Sequence, residues 1–437
     1  MAPEPAGPEP TGLALGAAQP EGQSQGRPVG QSEAPPVGLP VLYSFRRCPY
    51  AMRARLALAA AALVPERDLL VREVSLACKP PELLLASAKG TVPVLVVPSG
   101  VGAQRGPTPG SPTPGSPPDG GPGPGAGDDG RPQGGGQGSE QRVIDQSLAL
   151  MSWALQRHDP GDWLRRGPSA AAQASRAEMA ALIAENDGPF KHHLDRFKYP
   201  DRFKAGASRV DPGGDGAGGR ALDSNGDSGA NPDGDHRGHR AAALTILRRW
   251  NQRLQPGGWL LGPSACLADW ALLPFVRQFR RADPAGFDAE PNLAALQGWL
   301  GRFEASAEFS SVMEPPWGQR QAWRSPHWLY HLALADEWRQ ARSTGVYARS
   351  TRGLGLEQVG FIHASYAHQL AATYARFYGD AGPVVVLTID PGRLEQAGVA
   401  VRAEPGGSTR ETAAELFPHL YGPLPLEAVL AADPYQP

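Results

Sequence analysis

Three long tracts that are rich in glycine and proline divide the chain and limit where a compact domain can form. They span Met1–Gly38, Ser99–Ser139 and Gly206–Gly238, and they contain roughly half of the 54 glycines and 46 prolines. Such composition buries too little apolar surface to offset the entropy that is lost when the backbone orders. We therefore expect all three tracts to be disordered. The rest of the 437-residue chain is long enough for two or three domains.

The charge balance and the lack of targeting segments exclude several classes of protein. Lysine and arginine (42) nearly balance aspartate and glutamate (44), and no basic tract stands out, so we expect no nucleic-acid partner. The sequence shows neither a secretory signal nor an apolar run of about 18 residues, so we expect no membrane association. The three cysteines are an odd number and lie far apart, which argues against disulfides and favours a reducing compartment, the cytoplasm.

Alternating strand and helix patterns follow the first tract, from residue 39 to residue 158. Short apolar runs predict strands, and an alanine- and leucine-rich stretch that starts with proline predicts a helix. The order is βαβα and then ββα, and the second tract replaces the loop of the ββ hairpin, at a cost that grows only logarithmically with loop length. The predicted elements are strand Val41–Phe45, helix Pro49–Leu63, strand Asp68–Leu76, helix Pro80–Ala88, strand Val92–Val97, strand Arg142–Asp145 and helix Ser147–Gln156.

The remaining chain divides into an all-helical segment and a mixed one. Residues 159–323 carry apolar positions at helical spacing and predict an all-α bundle, which the tract 206–238 interrupts. Residues 324–437 are denser in aromatic residues and histidine, and they predict a separate small α+β domain. Its clearest predicted elements are helix Asp336–Arg342, helix His368–Phe377 and strand Pro383–Ile389.

The sharpest local feature is Cys48, which lies between a predicted strand and the helix that opens at Pro49. The free amides and the positive end of the helix dipole at that position stabilise a thiolate. Arg46 and Arg47 add positive charge, so we expect a lowered thiol pKa, as nucleophilic cysteine chemistry requires. The alternative is that Cys48 is a small buried residue of the core.

The segment Arg47-Cys-Pro-Tyr-Ala-Met-Arg53 resembles the glutaredoxin-like motif of cysteine-type glutathione S-transferases, whose first domain has a thioredoxin-like fold and whose second is an all-helical bundle. The resemblance implies that Val92 and Pro93 form the family's cis-proline turn, in which the Val92 backbone pairs with glutathione. It also implies that Gln146 and Ser147 hold the γ-glutamyl end of glutathione at a helix start, where anions bind readily.

The resemblance implies glutathione as a substrate, and the residues around Cys48 restrict the reaction. Ala51 stands where a dithiol motif has its second cysteine, so a second glutathione must resolve the mixed disulfide at Cys48. This favours thiol transfer, reduction or deglutathionylation of a small electrophile or disulfide, and conjugation stays open as a side activity. Members of the family usually form dimers, so the resemblance also implies a homodimer, although no interface can be recognised in the sequence.

A buried capping box is expected in the helical half. The segment Gly262–Asp269 resembles that of the family, with Asp269 as the cap of a core helix. Cys266 stands in the usual Ser or Thr position, and Ser264 is the alternative partner for the cap. We interpret this motif as one for folding and not for catalysis.

The polar run Glu185–Tyr199 is periodic. On a helix it places Lys191 beside Asp195, and His192 beside Arg196, four residues apart on one face. A solvated face is the simpler interpretation, and a pocket wall is the other. An electrophile pocket is expected between the two halves, because ligand sites favour domain interfaces. The candidate lining residues, which are otherwise ordinary core residues, are Trp153, Trp163, Phe190 and Tyr199.

Four short motifs characterise the last domain: Leu329-Tyr-His331, Gly360-Phe-Ile-His-Ala-Ser365, Ile389-Asp-Pro391 and Phe417-Pro-His-Leu-Tyr-Gly-Pro-Leu-Pro425. They resemble a small bacterial family called domain of unknown function 952 (DUF952), which looks like a reduced ADP-ribosyltransferase fold. Fold alone supplies no activity. The candidate second site comprises polar groups flanked by apolar strand residues, namely His331, His363, Ser365 and His419.

Two interpretations of this second site stay open. Its four residues converge on a cleft for a nucleotide-like ligand in one, and they make structural hydrogen bonds to the backbone in the other. Their spacing fits no zinc pattern, so we expect no metal.

Two functions from different classes therefore remain. In the first, the protein is a cytoplasmic glutathione S-transferase with Cys48 as its nucleophile. In the second, the transferase half is a non-catalytic glutathione-binding or regulatory scaffold, and the C-terminal domain binds a nucleotide-like ligand or uses one as a cofactor. The alkylation rate of Cys48 at neutral pH distinguishes them, because an activated thiol reacts faster than free cysteine.

Overall fold

The computed structural model describes residues 38–98, 141–203, 232–254, 258–316, 321–406 and 415–435. The tracts predicted to be disordered lie outside these residues, with two exceptions at their ends. Gly38 is described, and so are residues 232–238, which are helical. All of the described residues belong to one unit by their contacts.

A four-stranded sheet with helices packed on it forms the first domain. The strand order is β2-β1-β3-β4, with β1 parallel to β2 and β3 antiparallel to both β1 and β4. The β3–β4 pair is the predicted hairpin, with Leu95 opposite Ile144. This is the predicted thioredoxin-like arrangement. Its elements are β1 Val41–Ser44, α1 Pro49–Ala60, β2 Leu70–Glu73, α2 Pro81–Ala86, β3 Val94–Val97, β4 Arg142–Ile144 and α3 Ser147–Leu155.

Local sequence explains the elements that carry the site. Strand β1 is short and almost fully buried, as its apolar run predicts. Helix α1 opens with Pro49, whose missing N–H costs nothing in the first turn. The peptide bond between Val92 and Pro93 is cis, which confirms the prediction from the sequence.

An all-helical domain follows and packs around large buried aromatic side chains, including Trp250, Trp299 and Phe275. Its helices are α4 Ala170–Glu185, α5 Lys191–Lys198, α6 Pro232–Arg253, α7 Leu267–Ala282, α8 Pro284–Asp288, α9 Ala294–Glu304 and α10 Ala307–Met313. Short 3-10 turns cover Pro200–Phe203 and Pro291–Leu293. The prediction that residues 232–238 belong to a disordered insertion is wrong. His236 stacks on Phe197 of α5, with ring centroids 5.0 Å apart, so this end of α6 has a tertiary packing partner.

One π-helical turn, Asn186–Phe190, joins α4 to α5. Pro189 lies inside it and cannot donate the hydrogen bond that an α-helix requires there. The extra residue of a π turn accommodates such a proline without ending the helix. The turn therefore sets the rotation of α5 relative to α4, and with it the faces on which Asp187 and Lys191 lie.

The C-terminal domain is α+β, as predicted. Its strands form two three-stranded antiparallel sheets, β14-β10-β5 and β11-β12-β9, and two small pairs, β13-β6 and β7-β8. The strands are β5 Leu329–Leu334, β6 Val346–Tyr347, β7 Arg349–Thr351, β8 Leu354–Gly355, β9 Ile362–His363, β10 Val384–Ile389, β11 Ala400–Pro405, β12 Leu416–Tyr421, β13 Leu424–Pro425 and β14 Val429–Pro434. The helices are α11 Ala335–Thr344, α12 Leu356–Val359, α13 Leu370–Phe377 and α14 Pro391–Gln396, with 3-10 turns at Ala367–Gln369 and Leu426–Ala428.

The C-terminal domain has its own core, yet it also contacts the first domain. Immediately before this domain, the backbone N–H of Trp323 donates to the carbonyl of Glu73 on the edge strand β2, at 2.6 Å. The hydroxyl of Ser325 donates to Glu82 of α2, at 2.9 Å. Cys78 of the first domain packs in an apolar cluster whose other members come from the C-terminal domain. Within the described part of the chain, no helix has the length and apolar character needed to cross a membrane.

Candidate functional site

Cys48 is the N-cap residue of α1, and its side chain is 2 % exposed. Its Sγ lies 3.7 Å from the carbonyl oxygen of Val92 and donates to it. The neighbours of the thiol form an apolar cluster that includes Phe45 and Val94. The thiol is therefore at the helix start, as expected, and it faces the Val92–Pro93 turn from inside the core.

Burial raises the pKa of the Cys48 thiol above its ordinary value. The backbone amides of Ala51 and Tyr50 and the charges of Lys191 and Arg53 act in the opposite direction, but burial is the larger effect. The expectation of a lowered pKa is wrong for this state of the protein. The helix amides are present as expected, whereas the sequence does not show how completely the thiol is enclosed.

The arginines that precede Cys48 do not supply the charge that we expected from them. Arg46 is buried, and its guanidinium donates to the backbone carbonyls of Met313, the last residue of α10, and of Pro315 just after it. Arg47 is exposed. The cations that act on the thiol instead come from α5, with Lys191, and from α1 itself, with Arg53.

Arg53 joins the first two domains immediately beside the thiol. Its side chain is fully buried, and its two terminal nitrogens donate to the two carboxylate oxygens of Asp187, at 2.9 and 2.6 Å. Its Nε donates to the carbonyl of Ala271 on α7, at 2.6 Å, and the guanidinium stacks over the ring of Phe275. A bidentate pair of this kind fixes geometry as well as charge. Sequence analysis missed it, because the partner residue lies 134 positions away.

Sheet register brings the predicted glutathione-binding residues to the edge of the sheet where Cys48 lies. Tyr43 pairs with Val94, so the end of β1 lies beside the start of β3. Because β4 is antiparallel to β3, its end lies there too, followed by Gln146 and Ser147. Gln146 is the exposed N-cap residue of α3, and Ser147 is the buried first residue of that helix.

Asp145 precedes this pair and is held in place by two neighbours. It accepts from Lys89 Nζ at 2.8 Å and from the hydroxyl of Ser87 at 3.2 Å. The hydrogen bond and the charge of Lys89 lower the pKa of the Asp145 carboxyl. The start of α3 is thus fixed to the loop that precedes Val92.

A cavity of about 390 Å³ lies between the first two domains, where we expected an electrophile pocket. It is mostly apolar and includes Leu148 of α3, Met179 and Ile183 of α4, and Asp187. Cys48 does not line it. Neither do the predicted lining residues, of which Trp153, Trp163 and Phe190 are instead buried in the core and Tyr199 ends α5.

The polar run of α5 has the predicted pairs. Lys191 bonds to Asp195, and Arg196 Nη1 donates to His192 Nδ1 at 2.9 Å. The Lys191 ammonium also lies 5.8 Å from the ring of Tyr50 on α1. One face of this helix therefore points towards the candidate site.

The C-terminal domain contains a second cavity, of about 190 Å³. His331, His363 and Ser365 line it, so three of the four predicted residues come together. His419 does not line it. Its Nδ1 lies 2.9 Å from Glu404 Oε2, and its ring stacks on that of Phe361 with centroids 3.9 Å apart. His419 nevertheless contacts one of these three residues, since its ring centroid is 5.2 Å from that of His363.

Hydrogen bonds fix the tautomer of His331. Its Nδ1 lies 2.6 Å from the carbonyl of His363 and must donate, so Nε2 accepts from the hydroxyl of Tyr347 at 2.9 Å. Burial lowers the pKa of His331 to about 4. This neutral imidazole is fully committed to structural bonds, which favours the structural interpretation for this one residue.

His363 and Ser365 are less constrained. His363 Nδ1 lies 3.0 Å from the hydroxyl of the buried Ser350, and burial lowers the pKa of His363. Ser365 shares a hydrogen bond with Thr373 at 3.2 Å. Arg376 adds a positive charge to the same cavity. Sequence analysis missed Ser350 and Tyr347, because both belong to strands of two or three residues that have no recognisable pattern.

Comparisons with known families match three segments of the chain. Residues 42–104 match the glutathione S-transferase N-terminal domain, residues 193–302 match the glutathione S-transferase C-terminal domain, and residues 332–432 match a protein family of unknown function, DUF952. No curated protein matches the chain.

Solved structures with a similar fold include a glutathione transferase family member from Pseudomonas fluorescens pf-5 with two glutathione bound. It is 16 % identical, the match covers 64 % of this chain and 95 % of that one, and the TM-score is 0.42. Glutathione transferase Omega 2C from Trametes versicolor is 15 % identical over 64 % of this chain and 94 % of its own, with a TM-score of 0.39. FzlA from C. crescentus is 18 % identical over 65 % and 96 %, with a TM-score of 0.40.

Proposed function

Because the chain joins glutathione S-transferase N- and C-terminal domains to a DUF952 domain, we propose that it is a glutathione-dependent thiol transferase whose nucleophile is Cys48. One observation supports this most directly. The Cys48 Sγ is held at the start of α1, 3.7 Å from the Val92 carbonyl, where the tripeptide backbone of glutathione would pair.

The neighbouring residues suit the two ends of glutathione. The Val92 backbone would pair with the cysteinyl part, which brings the glutathione sulfur close to Cys48. The backbone amide and hydroxyl of Ser147 at the start of α3 would bind the γ-glutamyl carboxylate. The exposed Gln146 amide would accept from the γ-glutamyl ammonium, as a neutral group with less electrostatic gain than a carboxylate.

The reaction runs in two balanced exchanges. The Cys48 thiolate attacks the glutathione sulfur of a mixed disulfide, an S–S bond breaks, and the substrate leaves as a thiol with the proton that Cys48 gave up. A second glutathione thiolate then attacks the Cys48–glutathione disulfide, which releases glutathione disulfide and restores Cys48. In sum, one mixed disulfide and one free glutathione give one substrate thiol and one glutathione disulfide, so the S–S bond passes from the substrate to glutathione.

A second glutathione is needed because the chain offers Cys48 no resolving partner. Ala51 occupies the dithiol position, Cys78 packs against the C-terminal domain, and Cys266 caps α7 in the helical core. The substrate is a small disulfide or electrophile, and the reaction belongs in a glutathione-rich reducing compartment such as the cytoplasm. The homodimer implied by the family is part of the same proposal.

The test compares Cys48→Ser with Cys78→Ser in the full chain, assayed with a small glutathione mixed disulfide and excess glutathione. We expect Cys48→Ser to abolish turnover and Cys78→Ser to retain it. Mass spectrometry of the wild type mixed with glutathione disulfide should place the adduct on the Cys48 peptide. Full turnover by Cys48→Ser contradicts the proposal. Glutathione binding without turnover in the wild type favours the scaffold alternative.

A second candidate function rests on the cavity of the C-terminal domain. Arg376, several hydroxyls and His363 face the same space as the rings of Phe377 and Phe417, which suits a ligand with both a phosphate and a planar group. We propose that this cavity holds part of a nucleotide-like ligand, in line with the ADP-ribosyltransferase-like character predicted from the sequence.

Thermal unfolding of the full chain with NAD and with ADP tests this second function. A bound nucleotide raises the melting temperature, and Arg376→Gln should remove the rise, whereas Arg342→Gln on the exposed side of α11 should keep it. An unchanged melting temperature with both nucleotides contradicts the assignment.

A further inference from the structure

Three histidines from two helices meet outside the candidate site. His192 and His193 lie on α5, and His239 lies on α6. One ligand nitrogen from each lies within 4.8 Å of the others, and this is the one group of at least three such side chains found in the described residues. The Nδ1 atoms of His193 and His239 are 2.8 Å apart.

We propose that His192, His193 and His239 together bind one divalent transition-metal ion, most favourably Zn²⁺, with a solvent molecule as the fourth ligand. The site is independent of Cys48 and of the proposed thiol transfer. It was not expected from the sequence, because two of its members are adjacent on α5 and the third is 46 positions away.

The spacing of the nitrogens fits such an ion. Zinc binds imidazole nitrogen at about 2.0–2.1 Å, so tetrahedral ligands lie about 3.3 Å apart. The separations between the histidine nitrogens range from 2.8 Å to less than 4.8 Å, and the ligand-to-ligand distance of a zinc site lies within this range.

The donor set selects the class of metal. Among the residues that the structure describes, the group contains only imidazoles. Magnesium and calcium require oxygen ligands, whereas zinc, copper and nickel accept imidazole readily. His192 is exposed, so solvent reaches the ion and can fill a fourth position, as in sites with three protein ligands.

The hydrogen bond between His193 and His239 already holds two imidazole nitrogens of the cluster against each other, at 2.8 Å. The contact between the two Nδ1 atoms requires that only one of them carries a proton. A metal ion replaces that shared proton and joins the same two atoms.

Among the described residues, Arg196 is a neighbour that competes with the ion. Its Nη1 donates to His192 Nδ1 at 2.9 Å, which holds the His192 ring in place and puts a positive charge beside the cluster. The guanidinium also stacks on the ring of Phe203, at 4.6 Å, so it keeps a contact when it leaves His192. Removal of this arginine should therefore tighten metal binding, which a purely structural histidine cluster would not explain.

The experiment uses the full chain, without a polyhistidine tag and stripped with a chelator, and titrates Zn²⁺ against a competing indicator. We expect one ion per chain in the wild type. His193→Gln and His239→Gln should each weaken binding at least tenfold, as loss of a ligand requires. His158→Gln, on an exposed histidine outside the cluster, should bind within twofold of the wild type. Arg196→Gln should bind several-fold more tightly.

A second measurement needs no variant. In the wild type, Zn²⁺ should protect His192, His193 and His239 from diethylpyrocarbonate, and it should leave His158 and His368 reactive. Co²⁺ in the same site should give the strong visible absorption of a tetrahedral complex. Undiminished one-to-one binding by both His193→Gln and His239→Gln, no binding by the wild type, or equal modification with and without Zn²⁺ overturns the proposal.

Discussion

The ionisation of Cys48 shows how two opposing effects compete at a single atom. Helix amides and nearby cations stabilise the thiolate, while enclosure in an apolar cluster stabilises the thiol, and enclosure prevails. The position of Cys48 at a helix start could be predicted from Pro49 and the preceding strand. The direction of the pKa shift could not be predicted, because burial depends on residues from distant parts of the chain. The same holds for Arg46, whose side chain the fold turns towards α10.

The Lys191 charge should affect the reactivity of Cys48. In Lys191→Gln the cation that lowers the thiol pKa is lost, so the thiolate fraction at a fixed pH falls and alkylation by iodoacetamide slows by about two- to fivefold. The rate is followed on the Cys48 peptide by mass spectrometry between pH 7 and 9. Lys198→Gln, on the same helix but against Tyr199, serves as the control and should leave the rate unchanged. Equal rates for the two variants would contradict this.

His331 should make the C-terminal domain sensitive to acid. Its pKa is lowered from about 6.5 when unfolded to about 4 when folded, so only the unfolded state takes up a proton between these values. The contribution of His331 to the free energy of unfolding is therefore fully present above pH 6.5. It falls by roughly 3 kcal/mol as the pH drops to 4. Urea unfolding of the full chain, with pulsed hydrogen exchange of β5 and β10, measures the change.

The comparison variant for that measurement is His331→Phe. It should lose most of the pH dependence, whereas His368→Gln, at an exposed histidine, should keep it. If His331→Phe shows the same pH dependence as the wild type, another group is responsible for it.

At the scale of helices and strands, the sequence is informative wherever the signal is local. The seven elements of the first domain, the hairpin that spans the second tract and the pairs of α5 all follow from apolar runs, Pro49 and fourfold spacing. Elements that depend on tertiary contacts could not be predicted from the sequence. The first turns of α6 pack through His236 on Phe197, and β6 to β8 are too short to carry a period.

The start of α7 combines local and tertiary signals. Asp269 accepts from the backbone N–H groups of Cys266 and Leu260, at 2.8 and 2.9 Å, and from Trp299 Nε1 at 2.9 Å. The Cys266 thiol donates to the same carboxylate at 3.1 Å, so cysteine replaces the usual hydroxyl. Ser264 instead bonds to Arg165. The motif was predictable, whereas the additional partners were not.

Asp269→Ala should destabilise the helical domain far more than loss of an exposed cap. It leaves several buried donors without an acceptor and should reduce the free energy of unfolding by about 3–5 kcal/mol. Ser169→Ala removes the exposed cap of α4, which accepts from Ala172, and should cost only about 1 kcal/mol. Urea unfolding monitored by far-UV circular dichroism measures both. Similar losses for the two variants would show that the Asp269 network adds nothing beyond capping.

At the scale of the whole molecule, the C-terminal domain and the residue that leads into it, Trp323, make specific contacts with the first domain. Trp323 extends the edge of β2, packs on the guanidinium of Arg72 at 4.1 Å and contacts the ring of Tyr43. Trp323 also packs against the apolar cluster that contains Cys48. The sequence predicted the fold classes that the structure shows, but the contacts between domains depend on pairs of residues that lie hundreds of positions apart.

Cys78 provides a probe of this contact. Because it is buried among residues of the C-terminal domain, loosening that domain should expose it. In Trp323→Ala we expect the iodoacetamide rate at Cys78 to rise by about tenfold, since each 1.4 kcal/mol of lost contact energy is a tenfold change in opening. Cys266 in the helical core is the internal control and should not change. An unchanged Cys78 rate would show that Trp323 does not hold the domains together.

All three cysteines of the chain are buried as free thiols. A purified sample that is kept in air without reductant should therefore remain monomeric on a non-reducing gel, with no covalent cross-links between molecules. The same enclosure should protect Cys48 from peroxide while no ligand is bound. If Cys48 is the nucleophile that we propose, its burial preserves the thiol between encounters with substrate and slows the first step of each encounter.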